Sequence, residues 1–409
     1  MSAQNKIDPA LLNQVLQQTQ SRKHPTYKPQ KIGILGAGMM GAGIAFVAAK
    51  AGLQVILKEL SLELAEAGKN HAQQTCIKML ERGKINEAQQ EQLLSLIQPT
   101  ANIADLQGVD FIIEAVFEDK KLKASVSMES FPYLKKNGLF ASNTTSLPIS
   151  DLAEAIPAPQ FFLGMHFFSP VDRMPLLEII VGKKTSAETL QKAISISHIL
   201  GKTPIIVQDS PGFFTSRIFF NYLLEAIIMR MEGIAAEQIE LEAKHAGFAI
   251  GPLAVLDEIS IPLMLHVYAQ LPHLNLSQQR CYTYLSKMVQ QGRRGRKSGK
   301  GFYTYTEDNQ GKELWTDVDI NPSLSPLSAE IIQQRLLNSM ALDSYRCLAE
   351  GVIASELDGN IGSVLGVGYP ASTGGVFQYI RHIGIDRFTA QCKSFRPYGP
   401  QWEFERIDL

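Results

Sequence analysis

Cysteine is scarce in this sequence, and the few cysteines stand far apart. They are Cys76, Cys281, Cys347 and Cys392 among 409 residues, and no two of them form a CxxC pair. This spacing argues against a disulfide framework and against a zinc cluster. We therefore expect reduced, structural thiols and no metal site.

An excess of charge of either sign is also missing. Lysine and arginine total 39, aspartate and glutamate total 40, and the formal net charge is −1. We therefore expect no general attraction to nucleic acid or anionic membranes, and any polyanionic ligand has to be held by a local site. With 45% hydrophobic and 19% charged residues, the composition is that of a globular protein, not of a disordered chain.

Long apolar runs of the kind that mark targeting or membrane segments are not found. The N-terminal residues lack a signal-peptide core and are too rich in glutamine and too poor in arginine for a transit peptide. Residues 32–49 are uncharged and could be mistaken for a membrane span. They contain glycine at positions 33, 36, 38, 41 and 43, and we attribute these glycines to a turn and not to a membrane helix. We expect a cytoplasmic protein without a membrane span.

Apolar runs and helical stretches alternate through the first half of the chain. The predicted strands lie at 31–35, 53–59, 109–116, 138–143, 161–168 and 175–182. Helices are predicted between them, including 39–51 and one or two helices over 61–96. This alternation predicts βαβ units and a mainly parallel sheet. We assign it to a domain over residues 29–208, after a tail over residues 1–28.

The region after residue 208 is predicted to be mostly helical and to contain an internal repeat. Arg217 is followed 15 residues later by Glu232-Gly233, and Arg335 is followed 15 residues later by Glu350-Gly351. An aromatic–glycine turn comes next in each copy, GFAIGP from residue 247 and GYPASTGG from residue 368. Two related all-α domains, 209–308 and 309–409, are predicted from these ordered matches.

A glycine fingerprint joins the first predicted strand to the first helix. Gly36, Gly38 and Gly41 form GxGxxG, and an acid, Glu59, ends the second strand 23 residues after Gly36. In this context the glycines allow a tight turn and a close approach of a pyrophosphate to the helix N-terminus. The pattern predicts a Rossmann-type doubly wound α/β domain. Glu59 would bind ribose hydroxyls and repel a 2′-phosphate, which favours NAD over NADP.

Two ionisable residues lie inside neighbouring apolar strands. His166 lies in FFLGMHFFSP and Glu178 lies in MPLLEIIVG. A lone histidine there is often only a satisfied core residue. A buried carboxylate, however, needs a partner, because burial without one costs several kcal/mol. A His166–Glu178 pair would orient an imidazole that takes a proton from a substrate hydroxyl.

Two further polar segments have two interpretations each. Ser142 to Ser146, in the run SNTTS, follows a predicted strand at the ligand-binding edge of the sheet. Its hydroxyls are candidates for binding a substrate oxygen or for capping a helix. The run GRRGRKSGKG at 292–301 is a candidate phosphate-binding loop or a solvated loop.

Together these segments resemble the L-3-hydroxyacyl-CoA dehydrogenase family from about residue 29 to near residue 400. The resemblance is carried by GAGMMGAGIA, IIEAVFEDKKLK, SNTTSLPIS, HFFSPVDRMPLLEII, DSPGFFTSRI and GRKSGKGFYTY. The second helical copy, with GVGYPASTGG, resembles the dehydrogenase half of bacterial multifunctional fatty-acid oxidation proteins. The hydratase/isomerase half of those proteins would precede residue 29 and is not present in this sequence.

The resemblance implies a role for each matching residue. His166 falls on the catalytic base, Glu178 on its partner, and Thr145 on a hydroxyl that contacts substrate and cofactor. Ser216 and Ser169 stand where the family usually has asparagines near the reacting carbon, and Ser142 falls among the substrate-binding residues. The implied cofactor contacts beyond the three fingerprint glycines are Met40, Glu59, Val116, Glu118 and Lys123. Thr75 and Arg82 align with CoA-contacting positions.

The implied activity is the NAD-dependent oxidation of an (S)-3-hydroxyacyl-CoA thioester to the 3-oxo form. Two alternatives remain: NADH-dependent reduction of a 3-oxoacyl-CoA such as acetoacetyl-CoA, and a weakly active homologue that binds cofactor or acts as a scaffold. Family members with one helical domain dimerise through it. The tandem copy therefore predicts a monomer or weak homo-oligomer, with hydratase or thiolase subunits as candidate partners.

Overall fold

The computed structural model describes residues 27–271, 273–306, 311–316 and 327–405. The described chain divides into two compact units. One unit comprises residues 27–213 with 352–354, and the other comprises residues 214–351 with 355–405. Most of the predicted tail 1–28 lies outside the described residues. The boundaries 29–208, 209–308 and 309–409 stay a prediction.

An eight-stranded sheet forms the centre of the first unit, in the order β3-β2-β1-β4-β5-β6-β7-β8. Neighbouring strands run parallel except for β6 and β7, which pair antiparallel. The strands are β1 Lys31–Leu35, β2 Gln54–Lys58, β3 Ile97–Thr100, β4 Val109–Glu114, β5 Leu134–Ser142, β6 Phe162–Phe167, β7 Leu176–Val181 and β8 Thr203–Gln208. The predicted α/β class with a mainly parallel sheet is confirmed.

Helices cover both faces of this sheet, so its central strands are buried almost throughout and read as continuous apolar runs. The helices are α1 Met39–Lys50, α2 Leu62–Glu81, α3 Glu87–Ser95, α4 Lys120–Ser130, α5 Ile149–Ala153 and α6 Ala187–Ile199. The stretch 61–96 forms two helices. Gly83, with a φ of 64°, follows the first, and Asn86 caps the second in a capping box.

Strand β3 was not expected from the sequence. It has four residues, IQPT, of which only the first and last are buried. It contains Pro99, which has no backbone N–H to donate to a sheet. Its place at the sheet edge tolerates that loss, but the segment offers no apolar pattern from which a strand can be predicted.

The second unit is mainly helical, as predicted. Its helices are α7 Thr215–Met231, α8 Ala236–His245, α9 Pro252–Ile259, α10 Ile261–Gln270, α11 Leu276–Gln290, α12 Ala329–Ala349, α13 Glu356–Val367, α14 Val376–Ile383 and α15 Ile385–Ser394. A small antiparallel hairpin of β9 Tyr303–Tyr305 and β10 Lys312–Leu314 was not predicted. Within the described residues, no single helix has the length and apolar character to cross a membrane. The bent pair α9–α10 does meet both criteria when its two helices are taken together.

The two helical copies repeat local structure as well as sequence. The carboxylate of Glu240, on α8, accepts a hydrogen bond from Leu253 N at the start of α9, at 2.7 Å. In the second copy the side chain of Asn360, on α13, accepts one from Phe377 N at the start of α14, at 2.9 Å. Each side chain therefore satisfies a backbone donor at the corresponding helix N-terminus.

The basic run 292–301 is mostly exposed, but one of its arginines is buried. Arg293 is only 8% exposed, and its Nε donates to the carbonyl of Gly301 at 2.7 Å. Asp257, on α9, accepts hydrogen bonds from the amides of Phe302 and Tyr303 that follow this run. Within this run Arg293 is therefore a structural residue.

Arginines at equivalent positions cross between the two copies. Arg335, on α12, is fully buried and binds Glu225 and Glu232 of α7, with N–O distances of 2.5 and 2.6 Å.

Its counterpart, Arg217 on α7, binds Asp343 and Glu350 of α12 at 3.2 and 2.5 Å. The two copies of the sequence repeat therefore contact each other reciprocally. Each copy supplies the arginine that binds the other copy's acidic residues.

The burial of these pairs predicts unequal contributions to stability. Arg335→Met should lower the free energy of unfolding by about 3–5 kcal/mol, because it leaves the fully buried Glu225 without its guanidinium. The matched variant Arg217→Met should cost about 1–2 kcal/mol, because Asp343 keeps Arg346 and Glu350 is half exposed. Urea unfolding followed by circular dichroism measures both losses. Equal losses would contradict this account of the two pairs.

Candidate active site

The glycine fingerprint forms the turn between β1 and α1. A Cβ atom built on Gly36, whose φ is 95°, would lie 2.7 Å from the carbonyl oxygen of Ala115. One built on Gly41 would lie 1.8 Å from the carbonyl oxygen of Gly36. One built on Gly38 meets no atom within 4 Å. The first and third glycines are therefore required by packing within the protein, whereas the second leaves space above the helix N-terminus.

That space belongs to a cleft beside the fingerprint, where the glycine pattern predicts part of a dinucleotide. The cleft has a volume of about 270 Å³, and its lining includes Gly38, Met39, Glu59 and His71. The first turn of α1 has no acidic residue and its N-cap has no side-chain hydrogen bond, so its amides are available to a diphosphate. Glu59 Oε1 accepts a hydrogen bond from Ala37 N at 3.4 Å, which holds the acid beside the fingerprint.

The side chain of Met40, a predicted cofactor contact, is not part of the cleft wall, and its role stays a prediction. The methionine on the cleft wall is Met39, which is 61% exposed. Met40 is half-buried and packs against the hydrophobic core. The helix starts at Met39, so the next residue is rotated by about 100° towards the sheet.

A buried carboxylate that the sequence analysis missed organises the end of β4. Glu114 is fully buried. It binds Lys123 Nζ at 2.8 Å, Val116 N at 2.7 Å and the hydroxyl of Ser142 at 2.6 Å. Glu114 and Ser142 are partners in the β4–β5 register. These contacts tie the segment after β4 to the end of β5.

The network around Glu114 includes two predicted site residues. Lys123 is 1% exposed, and its ammonium contacts Glu114, Glu118 and the carbonyl of Val116. Ser142 is also 1% exposed and donates its hydroxyl proton to Glu114. Their contacts with cofactor and substrate stay predictions. Val116 is half-buried and directs its amide to Glu114.

Glu118 holds the loop that contains Thr145. Its carboxylate accepts hydrogen bonds from the hydroxyl of Thr144 and the amides of Thr145 and Ser146, at 2.6, 2.9 and 3.2 Å. Burial acts to raise the pKa of Glu118, but the nearby Lys123 and these hydrogen bonds outweigh it and hold the pKa below its usual range. Glu118 is therefore an anion that orders the predicted substrate loop.

His166 and Glu178 face each other across the antiparallel strands β6 and β7. They are direct partners in the register, and His166 Nδ1 lies 2.9 Å from Glu178 Oε2. His166 is 6% exposed and Glu178 is fully buried. The carboxylate fixes the proton on Nδ1, so Nε2 is the ring atom that can accept a proton. This pairing, expected from the two apolar strands, is what a general base requires.

Aromatic rings and a short loop fix the plane of this imidazole. The rings of Phe168 and Phe213 lie 4.6 and 6.3 Å from the His166 ring, centroid to centroid. Asn143, in the loop after β5, accepts a hydrogen bond from Phe167 N at 2.8 Å. The loop ordered by Glu118 is thereby attached to the histidine strand.

The remaining predicted residues lie in different settings. Ser169 is exposed, and its hydroxyl lies 3.9 Å from the sulfur of Met39. Thr75 is half-buried on α2 and donates its hydroxyl proton to His71 O. Arg82 lies at the end of the same helix and is exposed. Ser216 belongs to the helical unit, on α7, and is 7% exposed.

The part of the chain that the structure describes contains neither a disulfide nor a metal site. All four cysteines are buried, and no disulfide joins them. Among the described residues, no group of three or more His, Cys, Asp or Glu side chains is placed to hold a metal ion.

Comparisons with known proteins agree with this geometry. The family model for the 3-hydroxyacyl-CoA dehydrogenase NAD-binding domain matches residues 31–210, and the model for that family's C-terminal domain matches residues 212–305. The (S)-3-hydroxybutyryl-CoA dehydrogenase PaaH1 of Ralstonia eutropha is 34% identical, with a TM-score of 0.65. Its match covers 68% of this chain and 100% of that one.

Two further solved structures are similar. FadB2 of M. tuberculosis is 31% identical with a TM-score of 0.64, again covering 68% of this chain and 100% of that one. A 3-hydroxybutyryl-CoA dehydrogenase of Escherichia coli has a TM-score of 0.77 and covers 92% of this chain and 97% of its own. At 23% identity, its likeness is one of fold.

Gly36 and Gly41 are closely packed and Gly38 is not, so an added methyl group should have different effects at these positions. Gly38→Ala should leave the melting temperature nearly unchanged and weaken NADH binding, because its methyl group enters the cleft. Gly41→Ala should destabilise the fold, because its methyl group meets the backbone of Gly36. Thermal unfolding and NADH fluorescence titration measure the two effects. Unchanged NADH affinity in Gly38→Ala would show that the diphosphate does not lie there.

Proposed function

The chain belongs to the 3-hydroxyacyl-CoA dehydrogenase family of NAD-dependent oxidoreductases, and from that premise we propose that it oxidises (S)-3-hydroxyacyl-CoA thioesters to 3-oxoacyl-CoA. The observation that supports this proposal most directly is the buried His166–Glu178 pair. When bound, NAD would accept the hydride that leaves C3 of the substrate. The protein has to supply a base, an orientation and a dry site.

His166 is the proposed base. Its Nε2 takes the proton of the 3-hydroxyl as the C3 hydride leaves, and Glu178 stabilises the positive charge that then forms on the ring. Because neither group is consumed, the same pair returns the proton when a 3-oxoacyl-CoA is reduced. The direction of the reaction then follows the concentrations of substrate and of NAD and NADH.

Other residues are proposed to bind the two substrates. The loop ordered by Glu118 carries Thr145, which we assign to the substrate oxygen. Ser169 and Ser216 are also assigned to the substrate, at positions where the family usually has asparagines. Glu59 is assigned to the adenosine ribose, and Thr75 and Arg82 to the CoA moiety. Because a serine reaches less far than an asparagine, we expect these substitutions to alter substrate preference and leave the base in place.

The proposal predicts the effect of removing the base. His166→Gln should lower turnover of acetoacetyl-CoA with NADH by about 10²–10⁴-fold while NADH affinity is retained, since general-base catalysis is typically worth that much. Glu178→Gln should also lower turnover, because the ring loses its charged partner. His382→Gln, at an exposed histidine of the helical unit, is the matched control.

Three outcomes of this assay would contradict parts of the proposal. Near-wild-type turnover by His166→Gln would remove the histidine from the mechanism. A wild-type protein that binds NADH but turns over no 3-hydroxyacyl-CoA between C4 and C16 would favour the scaffold alternative. Equal use of NAD and NADP would contradict the role assigned to Glu59.

The paired helices α7 and α12 also predict the assembly state. We infer that the second copy covers the face through which single-copy relatives are expected to dimerise, and the reciprocal arginine pairs between the copies support this. The protein should therefore stay fully active as a monomer. Light scattering and activity measured over one dilution series check this. Activity that disappears as a dimer dissociates would show that a second chain completes the site.

A further inference from the structure

The loop between β6 and β7, residues 168–175, connects the strands of the proposed catalytic pair. It begins two residues after His166 and ends three residues before Glu178. Its first residue, Phe168, packs on the imidazole at a centroid distance of 4.6 Å. Its second, Ser169, is exposed beside Met39 of the cofactor cleft. The position of this loop therefore affects the orientation of the base.

A lysine from outside the site holds this loop by its backbone. Lys202, in the turn between α6 and β8, is 7% exposed. Its ammonium donates to the carbonyl oxygens of Val171 and Met174, the latter at 2.7 Å. Both acceptors are main-chain atoms of the loop, so the contact constrains the path of the chain itself.

The cofactor helix holds the same loop from the other side. The side chain of Val171 is 4% exposed and packs on Gly43 of α1. A Cβ atom built on Gly43 would lie 2.9 Å from Val171 Cβ, so any larger residue would push the loop away. The loop is thus fixed between Lys202 and the helix whose N-terminus faces the cofactor cleft.

A buried ammonium is a costly way to stabilise a loop. Two carbonyl dipoles compensate only part of the desolvation of a full charge, and an apolar side chain of similar length would be cheaper. Burial lowers the pKa of Lys202, Asp172 of the loop opposes this shift, and Lys50 at the end of α1 adds to it. These contacts point to a gain in loop geometry rather than in stability.

We propose that Lys202 is a positioning residue for the dehydrogenase reaction, holding the 168–175 loop so that Phe168 keeps the His166 ring aligned with the substrate. This inference rests on the proposed function, because it takes His166 as the base. Lys202 itself touches neither substrate nor cofactor. Its effect is transmitted by the backbone of the loop.

The test removes the ammonium and keeps the aliphatic stem. Lys202→Met should lower kcat with acetoacetyl-CoA and NADH by about 10–100-fold, the loss expected for a displacement of about 1 Å at the reacting atoms. The NADH dissociation constant should change by less than about twofold, because the glycine turn is untouched. Lys202→Arg, which keeps a cationic donor, should recover part of kcat. Lys184→Met, at an exposed lysine after β7, is the matched control.

Hydrogen exchange gives a readout that does not depend on the chemistry. The amides of Arg173 and Met174 both donate to Pro170 O within the loop, and their exchange should be faster in Lys202→Met than in the wild type. Unchanged exchange at these two amides with unchanged kcat would overturn the proposal. A lower melting temperature with wild-type kcat per folded molecule would overturn it too, because Lys202 would then be merely structural.

A second variant reaches the loop from the opposite side and keeps the test decisive if Lys202→Met does not fold. Gly43→Ala should lower kcat by pressing on Val171, and the double variant Gly43→Ala/Val171→Gly should recover activity, because it removes the Cβ and Cγ atoms that the added methyl group meets. Failure of the double variant to recover would contradict the loop-position account. A wild-type protein without dehydrogenase activity would instead refute the proposed function, and the exchange measurement would still report whether Lys202 holds the loop.

Discussion

The antiparallel register of β6 and β7 is the constraint on which the candidate site depends. Side chains alternate between the faces of a sheet, so a slip by one residue would send His166 and Glu178 to opposite faces. Glu178 would then be an isolated buried charge, at a cost of several kcal/mol. The cost of that isolated charge therefore favours one register, and that register is the one that pairs a base with an acid.

Around this pair, buried and partly buried charges hold loops. Glu114 with Lys123 fixes the segment after β4, Glu118 orders the loop after β5, and Lys202 holds the loop after β6. Each of these groups loses hydration, and buried ion pairs contribute little net stability. What they add is a defined path for segments that have no regular hydrogen bonding of their own. Three neighbouring loops at one region of the sheet are fixed in this way.

The sequence predicted the features that local patterns encode. The first strand, the fingerprint and the histidine–glutamate pair were expected because strand alternation, glycine spacing and isolated polar residues in apolar runs are visible within short windows. β3 was missed because four residues around Pro99 carry no pattern. Glu114 was missed because the sequence does not show that its carboxylate binds Lys123 and Ser142. The partners of Lys202 lie 28 and 31 residues away and are backbone atoms, which no side-chain pattern marks.

The helical unit uses buried charge for a different purpose. Two apolar helices of similar sequence can pair in several registers, since the hydrophobic effect is not directional. The reciprocal contacts are directional. Arg335 reaches Glu225 and Glu232 only if Arg217 reaches Asp343 and Glu350, because the two sets are related by the same repeat spacing. A slipped register would leave both guanidinium groups and the fully buried Glu225 without their ion-pair partners, so the charges select among packings that the apolar contacts alone would permit.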